Sequence, residues 1–162
     1  MAETFQLRMN QELAERIRRQ GAETFPHECC GALLGRDSAD PERVNPQEAQ
    51  LEVQREVLEL FPLVNRRDDS PRNRFAVSAE DVLDAEKAAR QHGLDVVGWY
   101  HSHPDHPARP SQFDREHAWP WYSYVIVSVM SGQPAEMTSW RLNDDRQAYS
   151  AERIEIRNRA VA

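Results

Sequence analysis

Two histidines one residue apart, His101 and His103, follow the apolar run Val96-Val97-Gly98-Trp99-Tyr100, and Ser111 and Asp114 come shortly after. Alternate side chains of a strand share a face, so both imidazoles point the same way. Two imidazoles and a carboxylate, with a fourth position left open, are the donor set of a catalytic zinc site. His101, His103 and Asp114 are therefore read as metal ligands. Hydrolysis at such a site also needs a carboxylate that takes a proton from water and returns it to the leaving amine. Glu28, at the mouth of the apolar stretch Cys29 to Leu34, is the best-placed candidate, and a polar residue there belongs at the rim of a sheet.

Each of these residues has a plainer reading. Ser111-Gln112-Phe113-Asp114 is a Ser-x-x-Asp capping box, which accounts for both polar residues as the start of a helix. The two readings are compatible, because a helix start beside a strand is a rigid mount for a ligand. The string from His101 to His106 also fits the His-x-His-x-Asp-His pattern of metallo-β-lactamase-type hydrolases. Those enzymes need further histidine and aspartate ligands downstream, and here His117 is the one later histidine, so Asp105 and His106 are read as loop residues. Trp119, Trp121, Tyr122 and Tyr124 form an aromatic cluster, assigned to core packing ahead of a substrate groove. Cys29 and Cys30 are adjacent, point to opposite faces of a strand and cannot readily bridge. They are read as free, buried thiols in a reducing compartment.

The elements that must position these residues follow from periodicity and caps. Phe5, Leu7 and Met9 alternate as a strand, and Asn10 caps a helix over about 11–23. Residues 30–35 read as a buried strand, 37–50 as an exposed insertion or loop, 55–64 as a strand and 66–74 as a charged loop. Ser78 and Asp81 form a capping box for a helix over about 79–91, which Gly93 ends. Residues 94–100 make a strand, 102–110 a proline-rich loop, and Ser111 opens a short helix. Strands over 124–129, over about 135–142, and a last one ending near Ile156 complete a single α/β domain with a mixed sheet over 1–156 and a tail at 157–162.

With 162 residues and a net charge of -7, the chain fits one domain and is a poor match for nucleic acid, whose phosphates call for a basic face. No apolar run is long enough for a membrane span and no secretory signal is visible at the N-terminus, so cytoplasm is the expected compartment.

Taken jointly, Glu28, His101-Ser102-His103-Pro104, Ser111 and Asp114 resemble the JAMM (MPN+) metalloprotease family. The resemblance implies a mixed, mostly antiparallel central sheet flanked by helices, of cytidine-deaminase-like architecture. It implies one Zn2+ per chain on His101, His103 and Asp114, Glu28 as general acid/base, and Ser111 as the donor to the tetrahedral intermediate. Family members cut peptide or isopeptide bonds after the C-terminal glycines of ubiquitin or ubiquitin-like proteins. Asp114 runs almost directly into the 124–129 strand, leaving no room for the second insertion of the eukaryotic deubiquitinases. The compact chain and the run Pro26, Glu28, Cys29, Cys30, Gly31 look like the small bacterial members, associated with ubiquitin-like sulfur-carrier proteins. The expected substrate is then a carrier tail, added along a sheet edge. Conjugates, small amides and a non-catalytic scaffold stand as alternatives, and a monomer and a homodimer are both compatible with the sequence.

Overall fold

Asn10 ends the first strand and starts the first helix, its side chain accepting from the Leu13 amide at 2.8 Å. The computed structural model describes residues 5–38, 53–64 and 77–158. In chain order these form β1 (Phe5–Asn10), α1 (Gln11–Thr24), β2 (Cys30–Asp37), β3 (Val53–Leu63), α2 (Ala79–Gln91), β4 (Asp95–Pro104), α3 (Gln112–His117), β5 (Ser123–Met130), β6 (Gln133–Leu142) and β7 (Tyr149–Arg157). Every element expected from periodicity is present within a few residues of its anticipated bounds. The readings of 66–74, of most of 37–50 and of the end of the tail lie outside the described residues.

Two boundaries differ in a way that matters. The strand expected to stop at Tyr100 runs on to Pro104, because β5 pairs in parallel alongside it from Gly98 to Pro104. His103 is therefore held in the sheet, where a proline-rich loop was anticipated. Asp37, expected in an exposed stretch, is buried at the end of β2.

The sheet is mixed, and it closes on itself in the order β1-β3-β2-β4-β5-β6-β7, with β7 returning to β1. Pairings along β2–β3, β2–β4, β5–β6 and β6–β7 are antiparallel; β1–β3, β1–β7 and β4–β5 are parallel. Each strand thus has a neighbour on both sides. No described strand is an edge along its whole length, but residues 57–63 of β3 extend beyond its pairing with β1 and residues 133–138 of β6 beyond its pairing with β7.

Alternation divides the core in two. Leu7, Met9, Leu33, Tyr100, Val125 and Val127 pack against the buried face of α1 (Leu13, Ala14, Ile17), while Ala32, Leu34, Trp99 and Tyr124 pack with Ala85 and Ala89 of α2. Cys29 falls in the first cluster and Cys30 in the second, as neighbours in a strand must, and both are free and buried. Gly31 is needed at its place in β2, because a Cβ there would sit 2.3 Å from the Tyr100 ring. No helix among the described residues is long and apolar enough to cross a membrane.

A buried ion pair ties four neighbouring strands of this sheet together. Arg55, with no exposure, donates to Asp37 Oδ2 from Nε at 2.9 Å and from a terminal nitrogen at 2.6 Å. Its other terminal nitrogen reaches the carbonyls of Val97 (2.9 Å) and Trp121 (2.8 Å) and the Ser123 hydroxyl (2.9 Å). Removing one member of a buried pair strands the other's charge, at a cost of about 3–5 kcal/mol. Arg55→Met is expected to lose that much in urea unfolding, and Asp37→Leu/Arg55→Met to recover part of it. An unchanged midpoint in Arg55→Met would show that the pair is not structural.

Candidate functional site

Register brings the site together. Cys30 lies opposite His101 in the antiparallel β2–β4 pair. The ladder continues one step further, with the Ser102 amide donating to Cys29 O at 3.1 Å and the Cys29 amide donating to Ser102 Oγ at 2.8 Å. One more step places Glu28 opposite His103, on the same face as both imidazoles. Ser102, fully buried and pointing to the other face, clamps the residue next to Glu28 through both of its backbone polar groups. Sequence reasoning assigned Ser102 no role, and its place between the histidines was the available signal.

The three expected metal donors converge. His101 Nε2 lies 3.1 Å from His103 Nε2. Asp114 brings Oδ2 to 3.2 Å from His103 Nε2 and Oδ1 to 3.4 Å from His101 Nε2. Metal bonds of about 2.0–2.1 Å in a tetrahedral arrangement separate the donors by about 3.3 Å, which these spacings match. His103 Nδ1 faces the Pro107 carbonyl at 2.9 Å, and a carbonyl only accepts, so Nδ1 carries the proton and the Nε2 lone pair is aimed at the other donors. A backbone acceptor on the far nitrogen is the usual support of a metal-binding histidine. Lone pairs brought this close repel one another unless a cation lies among them, and the residues present fit a zinc ion.

Asp114 is held by the capping box as well. Ser111, the N-cap of α3, accepts from the Asp114 amide at 3.0 Å and donates its own amide to Asp114 Oδ2 at 2.8 Å. Both readings of this pair therefore hold. Burial would raise the Asp114 carboxyl, but the neighbouring His101 and His103 imidazoles and the Ser111 amide outweigh it and hold the group well below the usual carboxylate range.

Glu28 is deeper than the rim position expected for it, with 3% exposure, and its Oε2 is buried without a hydrogen-bond partner. A buried carboxylate oxygen with nothing to bind is costly unless something else belongs beside it. Burial and, less strongly, the Asp114 charge push its carboxyl up to about 9. A cation seated at the donors would favour the charged form. Donor atoms of Glu28, His101 and His103 lie within 4.8 Å of one another, so both carboxylates flank the imidazole pair.

Two cavities open from this centre. One, about 350 Å³, is lined by His101 and Asp114 together with Trp99, Trp119, Tyr122 and Tyr124. Trp119 and Trp121, assigned to the core from sequence, are 64% and 50% exposed, because they stand on the short α3–β5 connection outside the sheet. Trp121 is braced from beneath, with the Arg55 guanidinium 4.2 Å from its ring centre. The second cavity, about 310 Å³, is lined by Glu28, His103 and Ser111 with Pro104 and residues of the following loop. Asp105 and His106 are exposed loop residues: Asp105 accepts from the Ser131 amide at 2.7 Å, and the His106 carbonyl accepts from Ser128 at 2.6 Å.

Comparison with known proteins gives a family and similar folds. The family model for prokaryotic homologs of the JAB domain matches residues 10–143. A desampylase of Haloferax volcanii is 35% identical over 104 residues, 64% of this chain; the match spans 63% of the desampylase, just under two thirds of its length. A solved structure from Salinibacter ruber superposes with a TM-score of 0.67 at 40% identity, covering 93% of this chain and 90% of that one. One from Desulfitobacterium hafniense reaches a TM-score of 0.76 at 27% identity over 94% of each chain. The chain belongs to the prokaryotic JAB-domain family, whose model spans most of its length.

Proposed function

We propose that the protein is a zinc metallopeptidase that cleaves the bond after the C-terminal Gly-Gly of a ubiquitin-like protein, a sulfur carrier being the expected one. The observation that carries this reading is the convergence of His101, His103 and Asp114 beside a buried, unpartnered Glu28 oxygen. His101, His103 and Asp114 would hold the ion. When bound, zinc acts as a Lewis acid that polarises a carbonyl and makes water a better nucleophile at neutral pH.

The chain's own groups do the rest. Glu28 takes the proton of the attacking water and delivers it to the departing nitrogen, so the carbonyl carbon gains an oxygen as its bond to nitrogen breaks. Ser111, whose oxygen accepts from the Asp114 amide, keeps its hydroxyl proton to donate to the oxygen that becomes negative. The aromatic cavity beside His101 suits the extended carrier tail, and glycines let that backbone approach the donors closely.

The desampylase relative favours a second substrate form, an isopeptide-linked conjugate of a ubiquitin-like modifier. Both forms are tested together by mass spectrometry of a carrier bearing one residue beyond Gly-Gly and of a lysine conjugate, each with and without a chelator. Chelator-sensitive release at the Gly-Gly carboxyl supports the reading. Equal cleavage when Gly-Gly is replaced by Ala-Ala would overturn the recognition argument, cleavage of small amides alone would favour an amidase, and no cleavage with no metal bound would favour a scaffold. Ser111→Ala is expected to keep its metal and lose turnover by about 10²–10³, the effect of one missing oxyanion donor. An unchanged rate would remove Ser111 from the mechanism.

A further inference from the structure

The loop after β4 is pinned by its backbone while one of its side chains is left free. Three successive carbonyls are each held by a side chain: His106 O by Ser128 at 2.6 Å, Pro107 O by His103 Nδ1 at 2.9 Å and Ala108 O by Thr138 at 2.5 Å. Ala108 is fully buried. The next residue, Arg109, is exposed, and its guanidinium makes no hydrogen bond or ion pair among the described residues. Glu136 lines an adjoining cavity with Arg109, yet no ion pair joins them. Arg109 is thus an exposed cation on a backbone held at three successive carbonyls, in a chain with a net charge of -7.

Its position gives it a use. Arg109 lines the same cavity as Glu28 and Ser111. On the reading of Glu28 as proton donor, the amine that leaves must lie within reach of Glu28, so this cavity receives the leaving group and the aromatic cavity receives the acyl chain. Arg109 is the one arginine or lysine among the described residues that line it, and a guanidinium binds carboxylates through paired donors. We propose that Arg109 reads a carboxylate on the leaving group, so the favoured leaving group is a single C-terminal amino acid with a free α-carboxylate. In such a residue the carboxylate is one carbon from the scissile nitrogen. In an isopeptide-linked lysine within a protein, no free carboxylate lies near the nitrogen that departs. Arg109 is on this view a specificity residue, and the inference rests on the assignment of Glu28.

The test compares two forms of one substrate, a ubiquitin-like carrier extended by a single alanine after Gly-Gly, with the alanine either as the free acid or as the C-terminal amide. Wild type is expected to prefer the acid by about 10–100-fold in kcat/KM, mostly through KM, as suits a hydrogen bond to a charged group. Arg109→Ala should level the two forms, and Arg109→Lys should restore part of the preference. Binding supplies an independent readout: calorimetry with Glu28→Gln should show tighter binding of the acid, and Glu28→Gln/Arg109→Ala should not. Equal binding of acid and amide by Glu28→Gln, or a preference that survives in the double variant, would overturn the role of Arg109 whatever the turnover. A binding preference without turnover of either form would sustain Arg109 and count against the peptidase reading itself.

Discussion

Glu28→Gln is expected to keep its full complement of zinc and to lose turnover by about 10²–10⁴. The amide preserves the shape and occupies the same buried space but cannot accept a proton from water. The prediction separates two roles that the geometry leaves close together, since Glu28 donor atoms lie within 4.8 Å of those of both imidazoles. A base leaves the metal content unchanged when it is replaced, whereas a ligand does not. Elemental analysis alongside a single-turnover assay decides: zinc lost with activity would make Glu28 a ligand, and near-wild-type turnover would require another base. The substitution should not harm folding. The Glu28 oxygen has no partner to lose, and the neighbouring clamp from Ser102 to Cys29 is untouched.

His103→Ala should show the opposite pattern, loss of zinc with loss of activity and a fold that persists. The site would then keep His101 and Asp114 alone, too few donors to hold the ion, so metal affinity should collapse. Equal zinc in His103→Ala and wild type would sink the assignment of the donors. A milder variant probes the support of this ligand. Replacing the Pro107 carbonyl is not feasible by mutation, but Ser128→Ala frees the adjacent His106 carbonyl and loosens the loop that carries it. Weaker zinc binding there, measured by competition with a chelator, would show that the loop orients His103.

Local patterns in the sequence determined a large part of this protein. Asn10, and Ser78 with Asp81, start their helices as the cap rules require, because a cap is decided by a side chain and an amide three residues on. Ser111 and Asp114 do the same and mount a ligand in doing so. His101 and His103 share a face because alternation in a strand is a property of the backbone alone. What lies far apart in the chain was decided by tertiary structure. The meeting of Glu28 with His103 depends on the β2–β4 register, and the depth of Glu28 on what covers it. Arg55 drew no reading from the sequence, and only the folded sheet brings Asp37 and the Trp121 carbonyl to it. Trp119 and Trp121 are apolar enough for a core, yet the connection that carries them runs outside the sheet, so both are exposed and Trp119 lines a groove. Strand partners are chosen by the whole set of side chains buried together, and no window of neighbouring residues contains that information.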